Sequence, residues 1–317
     1  MTPDFDISHI VHAPQRIDPA FLDSPVLTNA ALDAAIGCHV LAKAELANPI
    51  GCFKGRGADL FCAVALEAGE PVVSASAGNF GQGLAYATNR RGHACTVFAA
   101  SQANPVKVEA MRKLGANVRL VGADFDAAKD AARRHATQTG QRWVEDGAEA
   151  AVADGAGTIA LELIAAAPFD VLVVPLGNGA LLDGVGHVVR ARAPQARIIA
   201  VVAANAPAMK LSLEAGRAVA TEQADTIADG IAVRVPIPST LGRLRACCDD
   251  VVAVSEHDLF LAMCLIHRTL GVMVEPAAAA GVAAMLTEPE RYAGLRVATI
   301  LTGANISPAL RARLLAA

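Results

Sequence analysis

Aromatic residues are scarce in this chain, at 4% of its 317 residues, which argues against the stacked-ring platforms that grip single-stranded nucleic acid. Basic runs are missing too. The 27 Lys and Arg stand against 31 Asp and Glu for a net charge of −4, so the sequence offers no electrostatic footprint for nucleic acid. The seven cysteines (Cys38, Cys52, Cys62, Cys95, Cys247, Cys248, Cys264) are odd in number and show no CxxC spacing. They read as reduced thiols in a cytoplasmic protein rather than as a disulfide framework. No uninterrupted apolar stretch reaches the length of a membrane span. Residues 1–20 carry Asp4, Asp6, His9, His12, Arg16 and Asp18 and lack the apolar core of a signal peptide.

What is abundant is small and apolar. Hydrophobic residues make up 54% and charged residues only 18%, enough to fill a large core in one large or two modest domains. Much of the apolar content is alanine, which favours helices. Short β-branched runs alternate with these helical stretches: strands at Val72-Val-Ser-Ala75, Cys95-Thr-Val-Phe98, Asn117-Val-Arg-Leu-Val121 and Arg142-Trp-Val144 enclose helices over 81–91, 105–114 and 124–139. A second series places strands at 170–174, 197–202, 250–254 and 296–301. Its helices run over 158–167, 181–192, 206–215, 256–270, 276–286 and 308–317. This alternation predicts an α/β fold of two doubly wound parallel-sheet lobes, in which ligands sit beyond the carboxyl ends of the strands.

Four segments carry chemistry. Asn48-Pro-Ile-Gly-Cys-Phe-Lys-Gly-Arg-Gly-Ala58 sets Lys54 among small residues beside an aromatic, where a helix should begin. Such a lysine, desolvated and held still, is a nucleophile for an aldehyde such as that of pyridoxal phosphate; a surface lysine in a Gly-rich turn is the alternative. Ser74-Ala-Ser-Ala-Gly-Asn-Phe-Gly-Gln-Gly83 lies between a strand and a helix, so it is either an anion site of free N–H groups or an ordinary capped turn. Val174-Pro-Leu-Gly-Asn-Gly-Ala-Leu-Leu-Asp-Gly184 repeats that arrangement with glycines that let an anion approach the backbone. It is not a dinucleotide fingerprint: Leu182 occupies the third glycine position, and the next strand ends in Val202-Ala203-Ala204 without an acid. No Gly-Lys-Ser or Gly-Lys-Thr occurs. In Ile300-Leu-Thr-Gly-Ala-Asn-Ile-Ser307, Thr302 stands at a strand end, as a ring-nitrogen partner or a helix cap.

These segments, in this order, resemble the PLP-dependent β-family (fold type II), closest to its threonine/serine dehydratase and serine racemase branch. Lys43-Ala-Glu45, Gly155-Ala-Gly-Thr158, Thr226-Ile-Ala-Asp-Gly-Ile-Ala-Val233 and Glu275-Pro276 add to the resemblance, which runs from about residue 20 to 307. It implies pyridoxal 5'-phosphate in the cleft between a large domain, 1–71 plus 145–317, and a small one, 72–144. Lys54 would hold the cofactor as a Schiff base and remove the substrate's α-proton. Phe53 would lie against the pyridine ring, Asn79 would bond its phenolic oxygen, and Thr302 would face its nitrogen. Backbone amides of Gly177, Asn178, Gly179, Ala180 and Leu181 would hold the phosphate, and Gly230 would line the cofactor's other side. Ser76, Ala77, Gly78, Asn79 and Phe80 would bind the substrate carboxylate.

The resemblance also narrows the reaction. Racemases of this branch present a serine at the place of Ala77, and alanine cannot deliver a proton to the opposite face. Dehydration and deamination of a β-hydroxy amino acid such as L-threonine or L-serine is therefore expected, with racemisation, β-replacement or a catalytically silent binding protein as alternatives. Phe80 replaces the family's common histidine and makes the pocket more apolar. Ala203-Ala-Asn-Ala206 lacks the glutamate of the family's cation site, so no family-type metal site is expected. The chain ends at Ala317 without the regulatory domain of biosynthetic threonine deaminases, which implies no isoleucine feedback. A homodimer with an amino-acid substrate, and neither nucleic acid nor membrane as partner, completes the expectation. Outside these motifs, Cys247-Cys248 reads as a pair of inert buried thiols, Ser255 and Asp258 as a capping box, Asp146 and Glu149 as a solvated loop, and Asp229 as a support for its own loop.

Overall fold

The computed structural model describes residues 7–317; Asp4 and Asp6 lie outside that range. Among the described residues, ten strands form two sheets. β1 (Val26–Leu27), β2 (His39–Ala44), β7 (Val171–Pro175), β8 (Arg197–Ala203), β9 (Asp250–Val254) and β10 (Arg296–Leu301) make a six-stranded sheet ordered β1-β2-β10-β7-β8-β9. All its pairings are parallel except that of β1 with β2, an antiparallel edge within the expected parallel lobe. β3 (Val72–Ala75), β4 (Cys95–Ala99), β5 (Asn117–Leu120) and β6 (Arg142–Val144) form a parallel sheet ordered β5-β4-β3-β6.

The larger sheet is covered on both faces, which is why its strands are near-continuous apolar runs. Side chains alternate along a strand, and the core divides accordingly. Val171 and Val173, with Ile199 and Val201, face helices Glu256–Leu270 and Pro276–Thr287. Leu172 and Val174, with Ile198 and Ala200, face helices Ala150–Ala166 and Ala180–Arg192.

Two departures from the sequence pattern have physical causes. Helix Ala150–Ala166 begins well before the expected 158, although Gly155 and Gly157 weaken it as an isolated helix. Those glycines permit backbone contact: a Cβ on Gly155 would lie 2.5 Å from the carbonyl oxygen of Arg56, and one on Gly184 2.0 Å from that of Ala153. Strand β2 escapes the apolar pattern because Lys43 sits in it. That lysine is buried at 1% exposure and pairs with Glu162 at 2.6 Å.

The same cluster anchors the helix that carries Lys54. Arg56, fully buried, donates to Glu45 Oε2 at 2.9 Å through Nε and to Oε1 at 2.9 Å through Nη2. It also donates to Glu162 at 2.5 Å and to Thr158 Oγ1 at 2.9 Å. Lys43, Glu45 and Arg56, joined by Thr158 and Glu162 from 102 and 106 residues beyond Arg56, therefore act together in fixing helix Lys54–Val64 against helix Ala150–Ala166.

Candidate active site

Three strand ends and one helix start meet at a cavity of about 440 Å³. β3 runs into the turn 76–78 before helix Asn79–Arg91, β7 into the loop 176–179 before helix Ala180–Arg192, and β10 into Thr302. Helix Lys54–Val64 contributes its first residue. The lining includes Phe53, Lys54, the whole of 76–80, the whole of 177–181, Gly230 and Thr302, so every residue expected at the site from sequence is present in one cavity.

Local bonds fix these segments. Ser76 Oγ accepts from the N–H of Gly81 at 2.9 Å and of Gly78 at 3.3 Å, which curls the turn into its helix. Phe53 N donates to Thr302 O at 3.0 Å, clipping the lysine turn to the end of β10. Gly179 holds φ at +102°, a conformation that favours glycine, and a Cβ there would lie 2.6 Å from Leu244 Cδ1. A Cβ on Gly177 would lie 2.7 Å from Gly230 O. The first N–H groups of helix Ala180–Arg192 have no acceptor within their own helix, so this bare loop presents donors and a positive dipole end to an anion.

Lys54 Nζ is sheltered, 4.8 Å from the centre of the Phe53 ring and 5.9 Å from that of Phe80. It is not alone there. Asp146 accepts from it at 2.6 and 2.8 Å, which corrects the reading of Asp146 as part of a solvated loop. Glu149 instead reaches Arg142, at 3.5 Å. Asp229 likewise does more than support its own turn, because it pairs with Lys107 from helix Pro105–Lys113. The capping box of Ser255 and Asp258 is present as expected. Cys247 is buried and Cys248 half-buried, both as free thiols.

Sequence reasoning missed Glu275 as a site residue, although its Glu-Pro pair carried part of the resemblance. Its Oε1 accepts from Asn79 Nδ2 at 2.7 Å, while Oε2 is buried without a hydrogen-bond partner. Asn305 Nδ2 donates to Asn79 Oδ1 at 2.8 Å, so both ends of the Asn79 amide are assigned. Burial pushes the Glu275 carboxyl up to about 7; the charge of Asp229 adds to the rise, while the Asn79 bond and the Lys107 and Lys54 charges oppose it. Lys107 had no local signal, since one lysine on an amphipathic helix looks like any other.

A model of the family described as "Pyridoxal-phosphate dependent enzyme" matches residues 17–303. The chain belongs to this family. It is 37% identical over 278 residues to L-threonine ammonia-lyase of Thermotoga maritima, covering 87% of this chain and 69% of that one. It is 29% identical over 309 residues to a serine racemase of Oryza sativa, covering 95% and 91%. A solved structure of threonine deaminase from T.th. superposes with a TM-score of 0.89 at 31% identity, covering 94% of this chain and 98% of that one. The fold is thus that of the fold type II enzymes, and the cofactor is pyridoxal phosphate. The cavity fits this group on its own terms: it holds an amine for the aldehyde, and a glycine-containing loop at a helix start whose free N–H groups suit a phosphate. Among the described residues, no helix is long and apolar enough to cross a membrane.

Proposed function

We propose that this protein is an ammonia-lyase that eliminates water from a β-hydroxy amino acid such as L-threonine or L-serine, giving a 2-oxo acid and ammonia. One observation carries the reading: Lys54, the turn 76–80 with Ala77 in it, and the loop 177–181 line one cavity. Pyridoxal phosphate, when bound, supplies the electron sink that makes the α-proton acidic. Gly177, Asn178, Gly179, Ala180 and Leu181 would hold its phosphate through backbone N–H groups, with Phe53, Gly230 and Thr302 as the residues that would hold its ring. A neutral threonine hydroxyl withdraws electrons more weakly than a charged partner would, which suits a reaction whose leaving group departs at once.

The protein's own residues then do the following. The turn at Ser76, Ala77, Gly78, Asn79 and Phe80 holds the substrate carboxylate against the start of helix Asn79–Arg91. Lys54 Nζ, released from Asp146, takes the proton from the α-carbon. The β-hydroxyl takes up a proton, balanced by the one that Lys54 gained, and leaves as water; the freed enamine then hydrolyses to the 2-oxo acid and ammonia. Asn79 is held at both ends by Glu275 and Asn305, and its remaining amide N–H would serve the cofactor's phenolic oxygen. Phe80 gives the pocket an apolar wall where a bulkier substrate side chain can lie. The pairing of Lys107 with Asp229 spans from helix Pro105–Lys113 to the turn Asp229–Ile231, consistent with a cleft between a small domain at 72–144 and a large one at 1–71 plus 145–317.

The test is a panel of L- and D-β-hydroxy amino acids, aromatic and acidic members included, assayed for 2-oxo acid and ammonia together. Release of both from at least one L-member is expected. Ammonia-free conversion to the D-enantiomer, or no product from any member, would overturn the reading. In Lys54→Ala, both turnover and the cofactor's protein-bound absorbance band should vanish.

A further inference from the structure

Behind the cofactor loop lies a group of side chains that the reaction does not use. We propose that Asp183, His187 and Cys247 form a binding site for a divalent cation of the zinc type, clamping helix Ala180–Arg192 to helix Leu241–Cys247. Asp183 and His187 stand four residues apart on the first of these helices and so share a face, and Cys247 is the last residue of the second. One donor atom from each lies within 4.8 Å of the others. Cys247 Sγ is 3.3 Å from His187 Nδ1, which is 3.1 Å from Asp183 Oδ1 and 2.6 Å from the Asp183 carbonyl oxygen. Donors about 2.0–2.3 Å from one tetrahedral metal ion stand roughly 3.3–3.6 Å from each other, near the spacing of two of these three pairs, Cys247 with His187 and His187 with Asp183.

A second observation points to a missing ligand. Asp183 is 3% exposed, yet its Oδ1 receives no aligned hydrogen bond. With only the His187 Nδ1 beside it, at 3.1 Å and off line, this buried carboxylate oxygen keeps part of its desolvation cost. Its other oxygen, Oδ2, is held by Arg243 at 2.8 Å. The carboxylate is therefore gripped from outside by a guanidinium and aimed inward at a thiol and an imidazole, the way outer partners orient metal ligands. Gly186 makes the approach possible, because a Cβ there would lie 2.5 Å from Cys247 Cβ.

The donor set selects the ion. Sulfur with imidazole nitrogen suits Zn²⁺ and disfavours Mg²⁺ and Ca²⁺, which take oxygen ligands. Three protein ligands leave a fourth position for water. On binding, the Cys247 S–H bond and the His187 Nδ1–H bond, which otherwise points at the Asp183 carbonyl oxygen, both break; the two protons pass to solvent, sulfur–metal and nitrogen–metal bonds form, and no oxidation state changes. The clamp bears on the cofactor loop: Leu244, one turn before Cys247, fills the space beside Gly179. This is not the position after β8 where the family places a cation. It was invisible in sequence because Cys247 is 60 residues from His187.

The experiment uses the cofactor-loaded enzyme, equilibrated with Zn²⁺, dialysed, and examined by metal analysis and zinc-edge X-ray absorption. About one zinc per chain with a single sulfur neighbour is expected. Cys247→Ser should remove the sulfur neighbour, and Cys248→Ser should keep it. Asp183→Asn should keep the sulfur but weaken zinc binding roughly 10-fold or more. Zinc-free wild-type protein after dialysis, a sulfur neighbour that survives in Cys247→Ser, or unchanged affinity in Asp183→Asn would each overturn the proposal and leave a hydrogen-bonded trio only. If Cys247→Ser does not fold, the Asp183→Asn and Cys248→Ser arms decide it.

Discussion

Glu275 accepts a hydrogen bond from Asn79 at 2.7 Å, joining the residue that precedes helix Pro276–Thr287 to the first residue of helix Asn79–Arg91. The bond links an element packed on the large sheet to one packed on the small sheet, within the cavity that holds Lys54. It also orients the amide: with Nδ2 donating to Glu275 and Oδ1 accepting from Asn305, one N–H remains to point elsewhere.

Stability should depend on pH through Glu275. Burial raises its carboxyl from 4.5 to about 7 in the folded protein, so the folded state binds this proton more tightly than the unfolded chain does. Its contribution is full below 4.5 and is lost as pH rises through about 7. Across that window the change amounts to about 3 kcal/mol. Urea unfolding of the cofactor-free protein should show it, and Glu275→Gln should flatten the slope. Parallel pH curves for the two proteins would refute the assignment.

Gly179→Ala should weaken cofactor binding more than it weakens the fold. The new methyl group meets Leu244 at 2.6 Å in a backbone conformation at φ +102°. Strain of about 1–3 kcal/mol in the loop corresponds to roughly 5- to 150-fold weaker affinity. Titration of the cofactor-free variant, followed by protein fluorescence, measures it; affinity equal to wild type would remove the loop from the phosphate site.

Ala77→Ser should shift the product ratio toward the D-enantiomer. Ala77 is half-buried and lines the cavity, so a hydroxyl added there would lie within the site. Chiral chromatography of the products, alongside 2-oxo acid release, reads the ratio. No rise in D-product would mean that this position does not supply the opposing proton.

Arg56→Ala should destabilise the protein by about 3–5 kcal/mol, since it leaves the fully buried Glu45 carboxylate without its main partner and the half-buried Glu162 with Lys43 alone. Denaturant midpoints test this directly. A loss below about 1 kcal/mol would mean that water or Lys43 replaces the guanidinium.

Sequence alone determined the chemistry-bearing loops and the layered α/β pattern. Each strand of the second series is a continuous apolar run because helices cover both of its faces, and each loop is marked by residue types that few other local structures require. Lys54, Gly179 and Thr302 were legible for that reason. What only the tertiary structure decided are relations between distant residues with no local signature: Asp146 beside Lys54, Glu275 beside Asn79, Lys107 beside Asp229, and Cys247 beside His187. A carboxylate in a loop reads as solvated until the fold removes its water, and Asp146 became part of the site through that burial. β2 was hidden for the mirror reason, since Lys43 can occupy a buried strand only where Glu162, far along the chain, folds back to neutralise it.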